Sequence, residues 1–135
     1  MRLNRAFRLL QANPECRLLA LGMTRYWRAP DGLRLDTGPF VRALEFAGDK
    51  TAVVLGKPAG DFFKIALRQL HCLAGETLMV GDDIRTDIDG AQRAGLQAAL
   101  VKTGKYKDSD LDGNIKPAAV LDSVAGLPDY WQQIT

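Results

Sequence analysis

The chain begins with apolar residues at helical spacing. Leu3, Phe7 and Leu10 fall on one helix face and predict an amphipathic helix over residues 3–11, cut off by Asn13-Pro14. The short apolar run from Arg17 to Met23 is of strand type. Residues 24–38 show no period and carry a turn signal at Ala29-Pro30-Asp31-Gly32, so they are expected to be irregular. Thr37-Gly38-Pro39 predicts the start of a second helix. Pro39 suits its first position, and Phe40, Ala43, Leu44 and Ala47 form its expected apolar face.

From Thr51 the pattern changes. Thr51 to Leu55 is a short strand of the fully buried kind, and Gly56-Lys57-Pro58 leads into a helix with Phe62, Phe63, Ala66, Leu67 and Leu70 on one face. Thr77 to Val80 is a second such strand and ends at Gly81-Asp82-Asp83. A helix is expected over 86–94, closed by Gly95, followed by strands at Ala98–Val101 and Ala118–Leu121. Val124, Leu127, Trp131 and Ile134 mark a last helix. Strands alternating with helices at short spacing predict parallel βαβ units and an open α/β sheet. The break near residue 50 is the one candidate boundary, dividing the chain into segments 1–50 and 51–135.

Length and composition narrow the class. At 135 residues, 47% hydrophobic and 25% charged, the chain has the size and makeup of a globular domain. Residues 1–50 hold nine Lys/Arg against five Asp/Glu, and residues 51–135 hold nine against eleven. That asymmetry is compatible with two functional regions or with a scatter of solvated charge. Cys16 and Cys72 lack the number and spacing of a disulfide framework or zinc site, and are expected to be small core residues in a reducing compartment. No apolar run approaches a membrane span, and no signal-peptide segment follows Met1, so the expected location is cytoplasmic. Arg2, Arg5 and Arg8 share a helix face, but no nucleic-acid-binding motif accompanies them. His71, Trp27 and Trp131 read as structural residues.

The candidate chemistry lies after the buried strands, where an open parallel sheet binds its ligands. Met79-Val80-Gly81-Asp82-Asp83-Ile84-Arg85-Thr86-Asp87 places three carboxylates directly beyond one strand, with Gly81 allowing a sharp turn and a close approach. Adjacent carboxylates repel, so gathering them makes sense chiefly around a cation, and oxygen-only ligation fits magnesium. Asp82 is the expected metal ligand. Asp83 and Asp87 either order the metal's surroundings or cap the helix that follows. Lys57, at a strand end one βα unit earlier, is positioned to hold a phosphate; the surrounding residues are not those of a P-loop.

Gly56-Lys57-Pro58, then Gly81-Asp82-Asp83-Ile84-Arg85-Thr86-Asp87-Ile88 and Gly90-Ala91, resemble motifs III and IV of the haloacid dehalogenase superfamily. Lys102-Thr103-Gly104-Lys105-Tyr106 with its preceding strand is similar to the C2-capped branch. Asn4–Leu10, Arg25-Tyr26-Trp27, Asp31-Gly32-Leu33 and Gly38-Pro39-Phe40 extend the likeness into the cap. The resemblance implies the C-terminal half of a Rossmann-like parallel sheet, residues 51–135, preceded by part of an α/β C2 cap, residues 1–50. It further implies a magnesium-dependent phosphohydrolase of a small phosphorylated compound. In that scheme Asp82 ligates the metal, Asp83 and Asp87 order its waters and neighbours, Lys57 bridges nucleophile and phosphoryl group, and cap residues among Arg25 to Leu35 face the substrate.

One element of the family pattern is missing. The family uses an Asp-x-Asp motif on its first strand and a Ser/Thr phosphate anchor on the next, both upstream of the cap. Asp108-Ser109-Asp110 and Asp110-Leu111-Asp112 have the letters, but lie in a polar stretch read as surface loop. The expectation is therefore an N-terminally truncated member, inactive alone, with a bare apolar strand edge suited to a second copy or a complementing chain. The alternative is a non-catalytic remnant or interaction protein with a vestigial cation site. A signalling receiver does not fit, because its acidic pair follows its first strand.

Overall fold

Helix α1 (Arg2–Ala12) forms where the first apolar stripe predicts it, with Leu10 buried. In this computed structural model, which describes residues 2–134, the chain divides into two units, Met1–Ala59 and Gly60–Thr135. Met1 and Thr135, the ends of the expected segments, lie outside the described residues.

The first unit continues with β1 (Leu19–Ala20), β2 (Tyr26–Ala29), β3 (Gly32–Leu35), α2 (Thr37–Gly48) and β4 (Val53–Val54). Strands β1 and β4 pair in parallel, Leu19 opposite Val53 and Ala20 opposite Val54. Ala20, Val41 and Ala52 form its core, packed by Leu18, Met23 and Val54. The stretch expected to be irregular is an antiparallel hairpin, with Trp27 opposite Arg34 and the predicted turn at its tip. Of its eight strand residues only Ala29 is buried. With neither face covered, selection imprints no alternation of apolar and polar residues, and the period vanishes from the sequence. What holds the hairpin is cross-strand contact: the Arg34 guanidinium lies 5.8 Å from the Trp27 ring centre and pairs with Asp31 at 2.6 Å.

Helix α2 starts two residues before Pro39. Asp36 caps it, its carboxylate accepting the Thr37 amide at 2.6 Å. Its buried face is Gly38, Val41 and Gly48, not the expected one: Phe40, Ala43 and Ala47 are exposed and Leu44 half-buried. Small residues let this helix approach its neighbours closely, so bulk was a poor guide to the inward side. Cys16 is half-buried and Cys72 exposed, both as free thiols, so neither is a core residue. Trp27 and Trp131 are likewise partly exposed.

The second unit comprises α3 (Gly60–Leu70), β5 (Leu78–Gly81), α4 (Gly90–Arg93), β6 (Gln97–Val101), β7 (Ala119–Leu121) and α5 (Leu127–Ile134). Its three strands form a parallel sheet in the order β5-β6-β7. Central β6 is an apolar run, Ala98 to Val101 all buried, as expected of a strand covered on both faces. Phe63, Ile84, Ile88, Ala91, Leu96, Ala98 and Leu100 make the core. Leu70, placed on the inner face of α3 by its spacing, is exposed. The α/β class with parallel strands is as the sequence predicts. The helix expected over 86–94 is instead a wide π-helical turn, Ile84–Asp89, leading into the single turn of α4. The Asp83 carbonyl accepts from both the Asp87 amide at 3.0 Å and the Ile88 amide at 3.2 Å. His71, just past α3, adopts a left-handed conformation at φ 54° and is exposed.

Candidate functional site

Strand β5 delivers Asp82 and Asp83 at its carboxyl end, and the wide turn after it returns Asp87 to the same place. The three carboxylates have different surroundings. Asp82 is half-buried, and its Oδ2 accepts the backbone amide of Lys105 at 2.7 Å. Among the described residues nothing donates to its Oδ1. The contact depends on Gly104, which has φ +53° and whose missing Cβ would overlap the Asp82 carboxylate. The loop after β6 thus comes as near to Asp82 as a glycine permits.

Asp83 has both oxygens engaged. Oδ1 accepts the amides of Arg85 at 2.9 Å and Thr86 at 3.1 Å, which caps the wide turn. Oδ2 pairs with the Lys105 ammonium at 2.5 Å, with side-chain exposures of 14% for the lysine and 16% for the aspartate. Burial raises the carboxyl's pKa, but the bonds from Lys105, Thr86 and Arg85 and the lysine's charge together hold it below its ordinary value. Asp83 is therefore an anion fixed by its own turn and by a cation from the next loop.

Asp87 is 4% exposed, and its Oδ2 accepts the Asp83 amide at 3.2 Å. Gly81 makes room for it: an added Cβ would lie 2.5 Å from both Cβ and Cγ of Asp87. The Gly81 backbone does not enter the left-handed region, so its role here is steric, not conformational. Gly81→Ala is expected to push Asp87 aside and break its bond to Asp83, destabilising the chain by about 1–3 kcal/mol. A urea titration in which Gly81→Ala matched the parent would show that Asp87 has room to move.

Lys57 belongs to the other unit and follows β4 closely. Its carbonyl accepts the Met23 amide at 3.0 Å, and the Lys57–Pro58 bond is cis. Arg25 to Leu35, expected to face substrate, form the exposed β2–β3 hairpin and its approach. Asp108 to Leu111 form a 3₁₀ turn with no residue buried, as expected for surface loop. Lys105 is the site residue that sequence reasoning left without a role. Its signals were a glycine-lysine pair just past a strand end and its place in the Lys102–Tyr106 segment that resembles the C2-capped branch.

The donor set limits the cation. Among the described residues no group of three or more His, Cys, Asp or Glu gathers to hold a metal. A cage of the zinc type is not what these residues build. A hard cation that keeps most of its waters and takes one or two carboxylates fits the Asp82 oxygen that lacks a protein donor. Among the described residues no helix is long and apolar enough to cross a membrane.

The hydrolase-like family model, described as HAD-hydrolase-like, matches residues 54–127, more than half of the chain. The chain is 51% identical over 119 residues to haloacid dehalogenase-like hydrolase domain-containing protein 2 of Bos taurus, covering 88% of this chain and 45% of that protein. It is 41% identical over 128 residues to phospholysine phosphohistidine inorganic pyrophosphate phosphatase of Danio rerio, covering 94% and 47%. Among solved structures it is similar to a glycerol phosphate phosphatase from Mycobacterium tuberculosis in complex with magnesium. That match has a TM-score of 0.76 and 28% identity, over 93% of this chain and 38% of the other. The chain spans about half the length of the curated relatives it matches.

Proposed function

Because the chain belongs to the haloacid dehalogenase-like hydrolase family, we propose that it forms the metal- and phosphate-binding part of a magnesium-dependent phosphohydrolase acting on a small phosphorylated compound. The observation that carries this reading is Asp82: a carboxylate at the end of a parallel strand, one oxygen tied to the Lys105 amide and the other without a donor among the described residues. Asp82 would hold Mg2+, with Asp83 and Asp87 fixing the turn around it and ordering the waters. When bound, the ion supplies positive charge where the transferring phosphoryl group gathers negative charge. Lys57 supplies a second positive charge for the phosphate. The hairpin from Arg25 to Leu35, on the cap segment 1–50, screens the substrate, and segment 51–135 carries the chemistry. Two free thiols support a reducing, cytoplasmic setting.

Among the described residues no Asp-x-Asp lies on a strand, which supports reading none of their carboxylates as the nucleophile that attacks phosphorus. The chain alone is therefore proposed to be inactive and to work with a complementing chain. Leu19, Leu21 and Leu55, exposed on and beside β1 and β4, support an apolar partner surface there, for such a segment or for a second copy. Hydrolysis of p-nitrophenyl phosphate with Mg2+ tests the reading. The chain alone should give no turnover above its Asp82→Asn variant, and adding a family-type N-terminal segment should create turnover that Asp82→Asn removes. Turnover by the chain alone, lost in Asp82→Asn, would reveal a nucleophile within these residues. Full activity of Asp82→Asn in the complemented protein would end the metal assignment.

A further inference from the structure

Lys105 touches two adjacent carboxylates in two different ways, and the difference bears on which of them meets the cation. Its backbone amide takes Oδ2 of Asp82, leaving Oδ1 without a protein donor. Its ammonium takes Oδ2 of Asp83, whose Oδ1 already accepts two amides. The Lys105–Asp83 pair is largely shielded from water, so salt screens it weakly and its charges offset each other at short range. Without the ammonium, Asp83 would present a free anionic oxygen beside Asp82, and a divalent cation would gain by taking both.

We propose that Lys105 is a positioning residue that selects Asp82 over Asp83 as the cation's carboxylate, orienting the first through its main chain and occupying the second through its side chain. The inference rests on the metal reading of Asp82 given above and adds a role for a residue to which that reading gives none. Gly104 is part of the device, since a side chain there would displace the Asp82 carboxylate from the Lys105 amide.

The test is Mg2+ affinity, followed in the full chain by the NMR shifts of the amides from Asp82 to Asp87 during Mg2+ titration. With Lys105 present, Asp82→Asn should weaken binding by about tenfold or more. In a Lys105→Met background, Mg2+ should bind at least as tightly as in the parent, and Asp82→Asn should then cost less than about threefold, because Asp83 takes over. Lys105→Arg, which keeps the ion pair, should restore the full dependence on Asp82. A merely structural lysine would not move the penalty from one aspartate to the other. If the penalty of Asp82→Asn is unchanged in Lys105→Met, selection by Lys105 is wrong while the metal reading stands. If Asp82→Asn has no effect with Lys105 present, the metal reading fails and this inference with it. Should Lys105→Met not fold, as judged by thermal melting, Lys105→Ala in the same titration decides between the same outcomes.

Discussion

Phe63→Ala should destabilise the chain by about 3–5 kcal/mol, measured by urea denaturation followed by far-ultraviolet circular dichroism. Phe63 is 1% exposed and is the largest fully buried side chain of the second unit's core. It is the one buried residue of α3, so it is the principal anchor of that helix on Ile84, Ile88 and Leu100. Truncation removes the apolar burial of an aromatic ring and leaves a cavity that neighbouring strands cannot close, because β6 is held on both sides by β5 and β7. Domains of this size are stable by roughly 5–15 kcal/mol, so the variant should lose a large share of the total. Phe62 packs edge-on at 5.2 Å between ring centres but is only partly buried, and Phe62→Ala should cost less than half as much. Equal losses at the two positions would mean that α3 is anchored along its whole face and not by Phe63.

The contrast between those two phenylalanines shows where the sequence was legible and where it stopped. Helical spacing placed both on one face, but spacing has a resolution of about one residue in four and does not say which faces the sheet most squarely. Strand β6 was legible because a parallel strand buried on both sides must be apolar throughout, and Ala98 to Val101 is such a run; β5, at the sheet edge, is apolar in sequence but only half-buried. The β2–β3 hairpin was not, because exposed faces carry no alternation. The wide turn after Asp83 was read as an ordinary helix, since residues bonding five apart leave no periodic signature in six positions.

The site divides in the same way. The sequence pattern makes Asp82 the expected ligand and assigns Asp83 and Asp87 ordering or capping roles, but the repulsion between gathered carboxylates does not by itself say which of them meets the cation. What separates Asp82 from Asp83 is Lys105, more than twenty residues downstream and brought in by the pairing of β5 with β6. No local pattern encodes that contact. Gly81 was singled out for a sharp turn and a close approach to a ligand, whereas what lies against it in the structure is the Asp87 side chain from its own turn.

In the complemented, active protein, Lys57→Ala should lower kcat/KM for p-nitrophenyl phosphate by about a hundredfold or more, while Lys57→Arg should retain part of the activity. The proposal gives Lys57 a charge that counts most when the phosphoryl group is in flight, so the loss should fall on kcat and not on KM alone. The Lys57 carbonyl accepts the Met23 amide at 3.0 Å. Alanine keeps that carbonyl, thermal melting checks that the variant folds, and its Mg2+ affinity should stay near the parent's. This separates Lys57 from Asp82, whose replacement should weaken the ion's binding and the reaction together. A Lys57→Ala protein with undiminished kcat/KM would remove the phosphate role from this lysine. The metal assignment would then rest on Asp82 alone, with the charge facing the phosphoryl group to be sought elsewhere in the complemented protein.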